Sequence, residues 1–192
     1  MANLENVFVH PTAVVDDAVS IGVGSKIWHF SHILSGAKVG RNCVIGQNVM
    51  IGANVEIGDN SKVQNNVSVY ENVIVGDDVF IGPSAVFTNV KTPRAFINRK
   101  TEFETTHIRQ GASIGANATI VCGISLGQYC LIGAGAVVTK SVPDFALFVG
   151  VPARQTGWVS KAGCVLDSSL MCPLDGSKYQ IVDGKLFFQR DV

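Results

Sequence analysis

Every sixth residue from Val9 to Phe87 is apolar, through Val15, Ile21, Ile27, Ile33, Val39, Ile45, Ile51, Ile57, Val63, Val69, Val75 and Ile81, without one polar intrusion. The period resumes at Ile108, Ile114, Ile120, Leu126, Ile132 and Val138. A run of this length in one register is a repeat. The residue four positions after each apolar one is mostly small or β-branched, as at Ser25, Ser31, Ala37, Cys43, Val49, Val55, Ala112, Ala118 and Cys130. It reads as a second inward position, which makes Cys43 and Cys130 packing residues. The residue three positions after is repeatedly Gly, Asn or Asp, as at Gly24, Gly36, Asn42, Asn48, Asn54, Asn60, Asn66, Asn72 and Asp78. These types tolerate the left-handed backbone region, so each hexad is a short strand ending in a sharp corner and most of the asparagines are structural.

Period six with large aliphatic, small and Gly or Asn positions at fixed offsets resembles the hexapeptide-repeat left-handed β-helix, in which three hexads close one triangular coil. The resemblance runs from about residue 9 to residue 142. It predicts an all-β fold: a left-handed parallel β-helix over residues 1–142 with an excursion loop at 88–107, then a C-terminal extension at 143–192 with a β-hairpin. Twenty hexads in threes predict between six and seven coils, stacked at about 4.8 Å by parallel-strand hydrogen bonds. In the family resembled, such prisms pack as homotrimers with active sites between subunits.

The twenty-one residues from Phe87 to Ile108 are not a multiple of six, so the chain must leave the prism there, carrying Pro93, Arg94, Asn98, Arg99 and Lys100. A repeat that fills its interior with side chains can place chemistry only on its outside and on such excursions. The last regular hexad leads into Thr139-Lys140-Ser141-Val142-Pro143 and then Phe148-Val149-Gly150-Val151-Pro152-Ala153-Arg154. This resembles the end of the helix in hexapeptide acyltransferases that use coenzyme A. The resemblance implies that the last coils, at Gly133 and Ala134, hold the pantetheine arm and that Lys140 and Arg154 meet the nucleotide phosphates. A buried structural role for residues 150–153 is equally compatible. In the tail, Tyr179-Gln180-Ile181-Val182 and Lys185-Leu186-Phe187-Phe188 flank Asp183-Gly184, a hairpin signal. Cys164 and Cys172 suggest half of a zinc ribbon without a second pair, so no metal is expected.

Composition narrows the partners. At 192 residues there is room for one core and an appendage. Fifteen basic side chains balance fifteen acidic ones and charged residues are only 16% of the chain, so no field exists to hold nucleic acid or a membrane surface. An anionic ligand must be met by a few placed cations. The absence of a targeting segment, of a spanning apolar run and of an even cysteine set (there are five) makes a cytoplasmic location the expectation.

Residues eighteen apart stack in a three-hexad coil, so departures from the pattern can be placed in space. The position after the apolar residue carries Trp28, Leu34, Gln64 and Tyr70 on two neighbouring sides. The next position stacks His29, Gln47 and Asn65 in one column and Ala53, Glu71 and Asn89 in the adjacent one. These residues either line a groove leading into the loop or are solvated corners. The groove is favoured, because Asn65, Glu71 and Asn89 lie off the column that explains the other asparagines.

The segments Trp28-His29-Phe30-Ser31-His32-Ile33, Gln64-Asn65-Asn66-Val67-Ser68-Val69-Tyr70-Glu71 and Gly82-Pro83-Ser84-Ala85-Val86-Phe87-Thr88-Asn89, with Asn98-Arg99, carry a narrower resemblance. They are similar to the bacterial enzymes that acetylate the 3-amino group of UDP-2-acetamido-3-amino-2,3-dideoxyglucuronate for surface polysaccharides such as O-antigen. The resemblance implies an acetyl-CoA-dependent sugar N-acetyltransferase that takes a UDP-amino sugar and needs no metal. A free amine attacking a thioester needs positioning and oxyanion stabilisation more than a strong base. Asn89 could hold the amine while the departing sulfur takes the proton; the alternative is a general base, His29 first and Glu71 second. Tyr70, Gln64 and Asn65 would face the nucleotide sugar, and Arg94 and Arg99 its pyrophosphate or carboxylate. His10 and His32 read as turn or packing residues and His107 as closing the loop. Competing readings are O- or N-acetylation of another nucleotide sugar, a zinc carbonic-anhydrase-like protein, whose histidine spacing is not met, and a non-catalytic spacer, against which the coenzyme-A-like ending argues.

Overall fold

The computed structural model describes residues 6–189; the first five residues, on which part of the targeting expectation rests, lie outside them. Hexads fold as two-residue strands such as Lys26–Ile27 and Lys62–Val63, whose first residue faces out and whose second is buried. Successive coils stack in parallel with partners eighteen residues apart, Lys26 on Val44 and Ile27 on Ile45. Three faces result. The first runs from Phe8–Val9 through Leu131–Ile132, the second from Val14–Val15 to Val137–Val138, and the third from Ser20–Ile21 to Ser125–Leu126. We call the edge between the first and second faces corner 1, that between the second and third corner 2, and that between the third and first corner 3.

The interior is a ladder of fully buried Ile27, Ile33, Ile45, Ile51, Ile81, Ile114, Ile120 and Ile132, β-branched side chains that fit a pleated surface and stack on their equivalents one coil away. The second inward column is as expected, with Ala37, Cys43, Ala112, Ala118 and Cys130 buried. Its serines are not idle fillers. Ser31 Oγ donates to the Gly46 carbonyl at 2.7 Å and accepts the Val49 N–H at 3.3 Å, tying one coil to the next with its hydroxyl satisfied. Ser25 and Ser61 bridge Gly40 with Cys43 and Gly76 with Val79 in the same way. Asn42, Asn48, Asn54, Asn60, Asn66 and Asn72 all have φ between 55° and 68°, the left-handed corner conformation that their side chains tolerate. Ala18, Phe30, Ser84 and Tyr129 adopt it too, held by the coil around them.

Two boundaries differ from the expectation. Across the excursion the register offset rises from 18 to 33 residues, Phe80 pairing with Ser113 and Val86 with Thr119, so fifteen residues are inserted. The chain is back in the third face by Thr106–Ile108, which makes His107 an outward strand residue rather than part of the loop. The helix also outlasts residue 142. Ala146–Val149 stacks in parallel on Leu131–Ile132 as the eighth parallel strand of the first face, and Arg154–Trp158 then turns back antiparallel over it. The hexad period had lapsed there, so its sixfold signal could not mark the last strand. Beyond it, Phe145, Leu166, Cys172, Tyr179 and Leu186 form a small second core, closed by the hairpin Tyr179–Val182 and Lys185–Phe188 with Asp183 and Gly184 at positive φ in its turn.

Candidate functional site

Corner 1 carries Trp28-His29, Gly46-Gln47, Gln64-Asn65, Gly82-Pro83, Gly115-Ala116 and Gly133-Ala134 on successive coils. Corner 2 carries Tyr70-Glu71 and, one coil on, Thr88-Asn89 with the loop. Asn65 and Glu71 are six positions apart in the chain, at most roughly 20 Å at ~3.3 Å per residue. The predicted groups are therefore divided. His29, Gln64 and Asn65 share corner 1 with Gly133 and Ala134, whereas Tyr70, Glu71, Asn89, Arg94, Arg99 and Lys140 belong to corner 2 and its loop. Within one chain the second face lies between the two sets.

At corner 2 the chain is pinned on both sides of Asn89. Thr88 Oγ1 accepts the Cys122 N–H at 3.0 Å, and the Asn89 carbonyl accepts the Glu104 N–H at 3.0 Å. Asn72 Nδ2 donates to the Phe103 carbonyl at 3.2 Å. The Asn89 side chain itself, half-buried, makes no hydrogen bond among the described residues. In the loop Lys91 pairs with Glu104 and Arg99 with Glu102, each at 2.7 Å; the hydrogen bond to Glu104 raises the Lys91 ammonium above its usual pKa. Arg94 reaches only the carbonyl of its neighbour Pro93. Phe96 stands 85% exposed near the loop's tip.

At corner 1, Asn65 is half committed. Its Oδ1 accepts the Gln47 N–H at 2.9 Å, the role Asp59 plays for Arg41 and Asp77 for Asp59 at corner 3. The carboxamide nitrogen remains available on the surface. His29 lies against His10 with centroids 3.6 Å apart and the rings tilted by 31°, and is nearly parallel to Trp28 at 5.9 Å. His10 is held by Thr12, whose N–H donates to His10 Nδ1 at 3.2 Å, and burial and the neighbouring His29 lower its pKa. His32 Nε2 lies 2.9 Å from Asp16 Oδ1. The rings of Phe8, His10 and Phe30 around Trp28 and His29 escaped the sequence reading. The signal was present, because His10 lies eighteen residues below Trp28.

At the far end of corner 1, Gly133 packs so closely that a Cβ would meet Val149 Cγ1 at 2.7 Å. Residues 150–153 fold over the end of the second face, Val137 N–H donating to Gly150 and Ala153 N–H to Val137. Arg154 follows, its guanidinium donating to the Ala153 carbonyl at 2.8 Å. Lys140 lies on corner 2, just past the last strand of the second face at Val137–Val138. Burial pushes the Cys130 thiol up to about 12 and raises Cys43 as well, so neither is a ready nucleophile. Among the described residues no three His, Cys, Asp or Glu side chains converge as a metal site would require, and no helix is long and apolar enough to cross a membrane.

Charge is distributed unevenly. Neither the corner 1 positions nor the outward column of the second face (Val14, His32, Met50, Ser68, Val86, Thr119, Val137) contains an Asp, Glu, Lys or Arg. Corner 3, by contrast, carries Arg41, Asp59, Asp77, Asp78 and Arg109. A cleft of about 590 Å³ between the hairpin and the third face, lined by Arg109, Ser125, Asp144, Lys185 and Phe187, holds none of the predicted site residues. Of the predicted site residues, Arg94 and Arg99 line a shallow cavity of about 350 Å³ within the corner 2 loop, with Val90, Ile97 and Phe103.

The profile of the family described as "Bacterial transferase hexapeptide (six repeats)" matches residues 18–53, 54–89 and 105–140, stopping and restarting around the loop. The chain is 51% identical over 183 residues, 94% of both chains, to the dTDP-3-amino-3,6-dideoxy-alpha-D-galactopyranose 3-N-acetyltransferase of Aneurinibacillus thermoaerophilus. Among solved structures it resembles a hexapeptide-repeat acetyltransferase of Vibrio cholerae O1 biovar eltor complexed with acetyl coenzyme A, with TM-score 0.57 and 25% identity, over 65% of this chain and 72% of that one. It shares its fold with a variant of perosamine N-acetyltransferase from Caulobacter crescentus, with TM-score 0.50 and 21% identity, over 79% of this chain and 58% of that one.

Proposed function

The chain belongs to the bacterial hexapeptide-repeat transferases, as a sugar N-acetyltransferase, and we propose that it moves the acetyl group of acetyl-CoA to the 3-amino group of UDP-2-acetamido-3-amino-2,3-dideoxyglucuronate. A nucleotide-linked 3-amino sugar is the acceptor class of its 51%-identical relative. The observation that carries the finer choice is the state of the loop cations. Lys91 and Arg99 are occupied by Glu104 and Glu102, whereas Arg94 makes no ion pair among the described residues and sits on the excursion that begins at Asn89. A uronate carboxylate would find its counter-charge there; a 6-deoxy sugar would leave Arg94 to the diphosphate that both candidate sugars carry.

The second reading is the dTDP-linked 3-amino-3,6-dideoxy sugar named for that relative. Incubating the protein with acetyl-CoA and each sugar in turn separates them. The uronate reading expects kcat/KM at least tenfold higher for the uronate, and Arg94→Ala to erase that preference. A preference for the dTDP sugar would establish the second reading.

The reaction forms one C–N bond and breaks one C–S bond. The uncharged amine attacks the thioester carbonyl, the tetrahedral intermediate collapses to amide and thiolate, and the amine's proton ends on sulfur or on a side-chain base. In this account the Asn89 carboxamide oxygen holds the amine, a backbone N–H at the glycine-rich end of corner 1 meets the oxyanion, and Arg154 holds a phosphate of the donor.

The assembly that supports this is a homotrimer with its sites between subunits. The outward column of the second face is free of full charges, and the exposed Val14, Val86 and Phe96 lack cover within one chain. Seating corner 1 of one copy against corner 2 and the loop of the next would bring the His29 and Asn65 column opposite Glu71 and Asn89. Neither edge alone gathers donor-binding, acceptor-binding and amine-holding groups.

A further inference from the structure

Five rings wrap the start of corner 1 although the helix core is complete without them. Phe8 is 44% exposed, Trp28 37% and Phe30 62%. Phe8 and Trp28 are 5.4 Å apart, and Trp28 and His29 are nearly coplanar in direction, at 11°. Above Trp28, the same column continues with Gly46 and then Gln64. Gly46 cannot be replaced by a larger residue without collision, because a Cβ there would lie 2.6 Å from Asn65 Oδ1. The corner is thus bare for one coil. At ~4.8 Å per coil, roughly 9–10 Å separates Trp28 from Gln64 along the edge, a spacing that could take one flat heterocycle beside the indole.

The rim of this slot is amide and uncharged. Gln64 is half-buried and Gln47 exposed, and each primary amide offers a donor beside an acceptor. A pyrimidine-2,4-dione presents acceptor, N–H donor and acceptor along one edge, which such amides match. Cations stand only on the adjoining first face, at Lys26 and Lys62, and the corner itself offers a phosphate no counter-charge. We propose that this slot holds the pyrimidine base of the nucleotide sugar, stacked on Trp28 and read by Gln47 and Gln64, a proposal that rests on the nucleotide-sugar reading above. The sugar then extends along the edge towards Asn65, and the diphosphate is left to the loop cations of a neighbouring copy. Within one chain Tyr70 belongs to corner 2 and does not line this slot.

The test uses the full chain and three probes: dTDP, UDP and inorganic pyrophosphate. Binding is followed by calorimetry and by emission of Trp28, with Trp158 as the internal reference. Wild type binds both nucleotides at least tenfold more tightly than pyrophosphate, with quenching. Trp28→Ala weakens both nucleotides at least tenfold, leaves pyrophosphate and acetyl-CoA affinity within twofold and keeps the assembly mass; Trp28→Phe restores most of the loss. Unchanged nucleotide affinity in Trp28→Ala overturns the proposal, as does a fall in assembly mass with nucleotide affinity preserved, which would mean that the rings seat a second copy. If wild type acetylates no nucleotide-linked amino sugar, the functional reading falls; if it acetylates one and Trp28→Ala leaves its KM unchanged, only the slot falls.

Discussion

Replacing Asn89 with alanine separates positioning from base catalysis. The closures that fix the loop use the Asn89 carbonyl and the Thr88 hydroxyl, at 3.0 Å each, so the backbone at the mouth survives the truncation. No hydrogen-bond partner of the side chain is orphaned, which keeps the stability cost to about 0.5 kcal/mol. If the carboxamide orients the amine only as it attacks, its loss removes at least ~1.4 kcal/mol of transition-state stabilisation, a tenfold or greater fall in kcat. His29→Asn should cost about threefold or less, because His29 belongs to the ring stack at corner 1. Steady-state release of free thiol from acetyl-CoA with saturating nucleotide sugar measures both, with melting temperature and assembly mass as controls. An Asn89→Ala enzyme with kcat within twofold of wild type, beside a His29→Asn enzyme that has lost tenfold or more, would refute positioning by Asn89 and install His29 as the base. If both keep normal turnover, the site lies on another edge.

Arg154→Ala should raise the KM for acetyl-CoA at least fivefold while leaving that for the sugar within twofold, read from initial rates with each substrate varied. Ser31→Ala leaves the Gly46 carbonyl and the Val49 N–H without their buried partner, and chemical denaturation should show a loss of about 1–3 kcal/mol. Val86→Glu puts a charge on the uncharged second face at a position 49% exposed in one chain; sedimentation should show the trimer falling to smaller species with the β-sheet signal intact, and an unchanged mass would move the interface to another face.

Much of the fold could be read from the chain because a six-residue period leaves few architectures that bury its apolar column. The columns of Ile27, Ala37 and Asn42 each found the place their chemistry requires: core, second inward position and left-handed corner. The period was silent where it stopped. It overstated the loop, since Thr106–Ile108 already pairs in the third face, and it missed Ala146–Val149, whose place in the first face is set by packing on Leu131–Ile132. The site was legible by column but not by distance. Stacking placed His29 with Asn65 and Glu71 with Asn89 correctly, yet a coil pattern does not say that the second face stands between them. Asn65 was read as free of structural duty because it lies one position before the corner asparagines; its Oδ1 in fact receives the Gln47 N–H. That bond needs both the corner's fold and a side-chain Oδ1, as Asp59 and Asp77 show at corner 3.

The central claim is the transfer itself, and product analysis tests it directly. The protein is incubated with acetyl-CoA and UDP-2-acetamido-3-amino-2,3-dideoxyglucuronate, and in parallel with dTDP-3-amino-3,6-dideoxygalactose, and products are resolved by mass spectrometry and NMR. The expected product carries one acetyl group per sugar, as an amide on the C3 nitrogen, with free coenzyme A in equal amount and the faster turnover on the uronate. Acetyl groups found on a hydroxyl, or no acetylated product from either sugar while acetyl-CoA still binds, would contradict it.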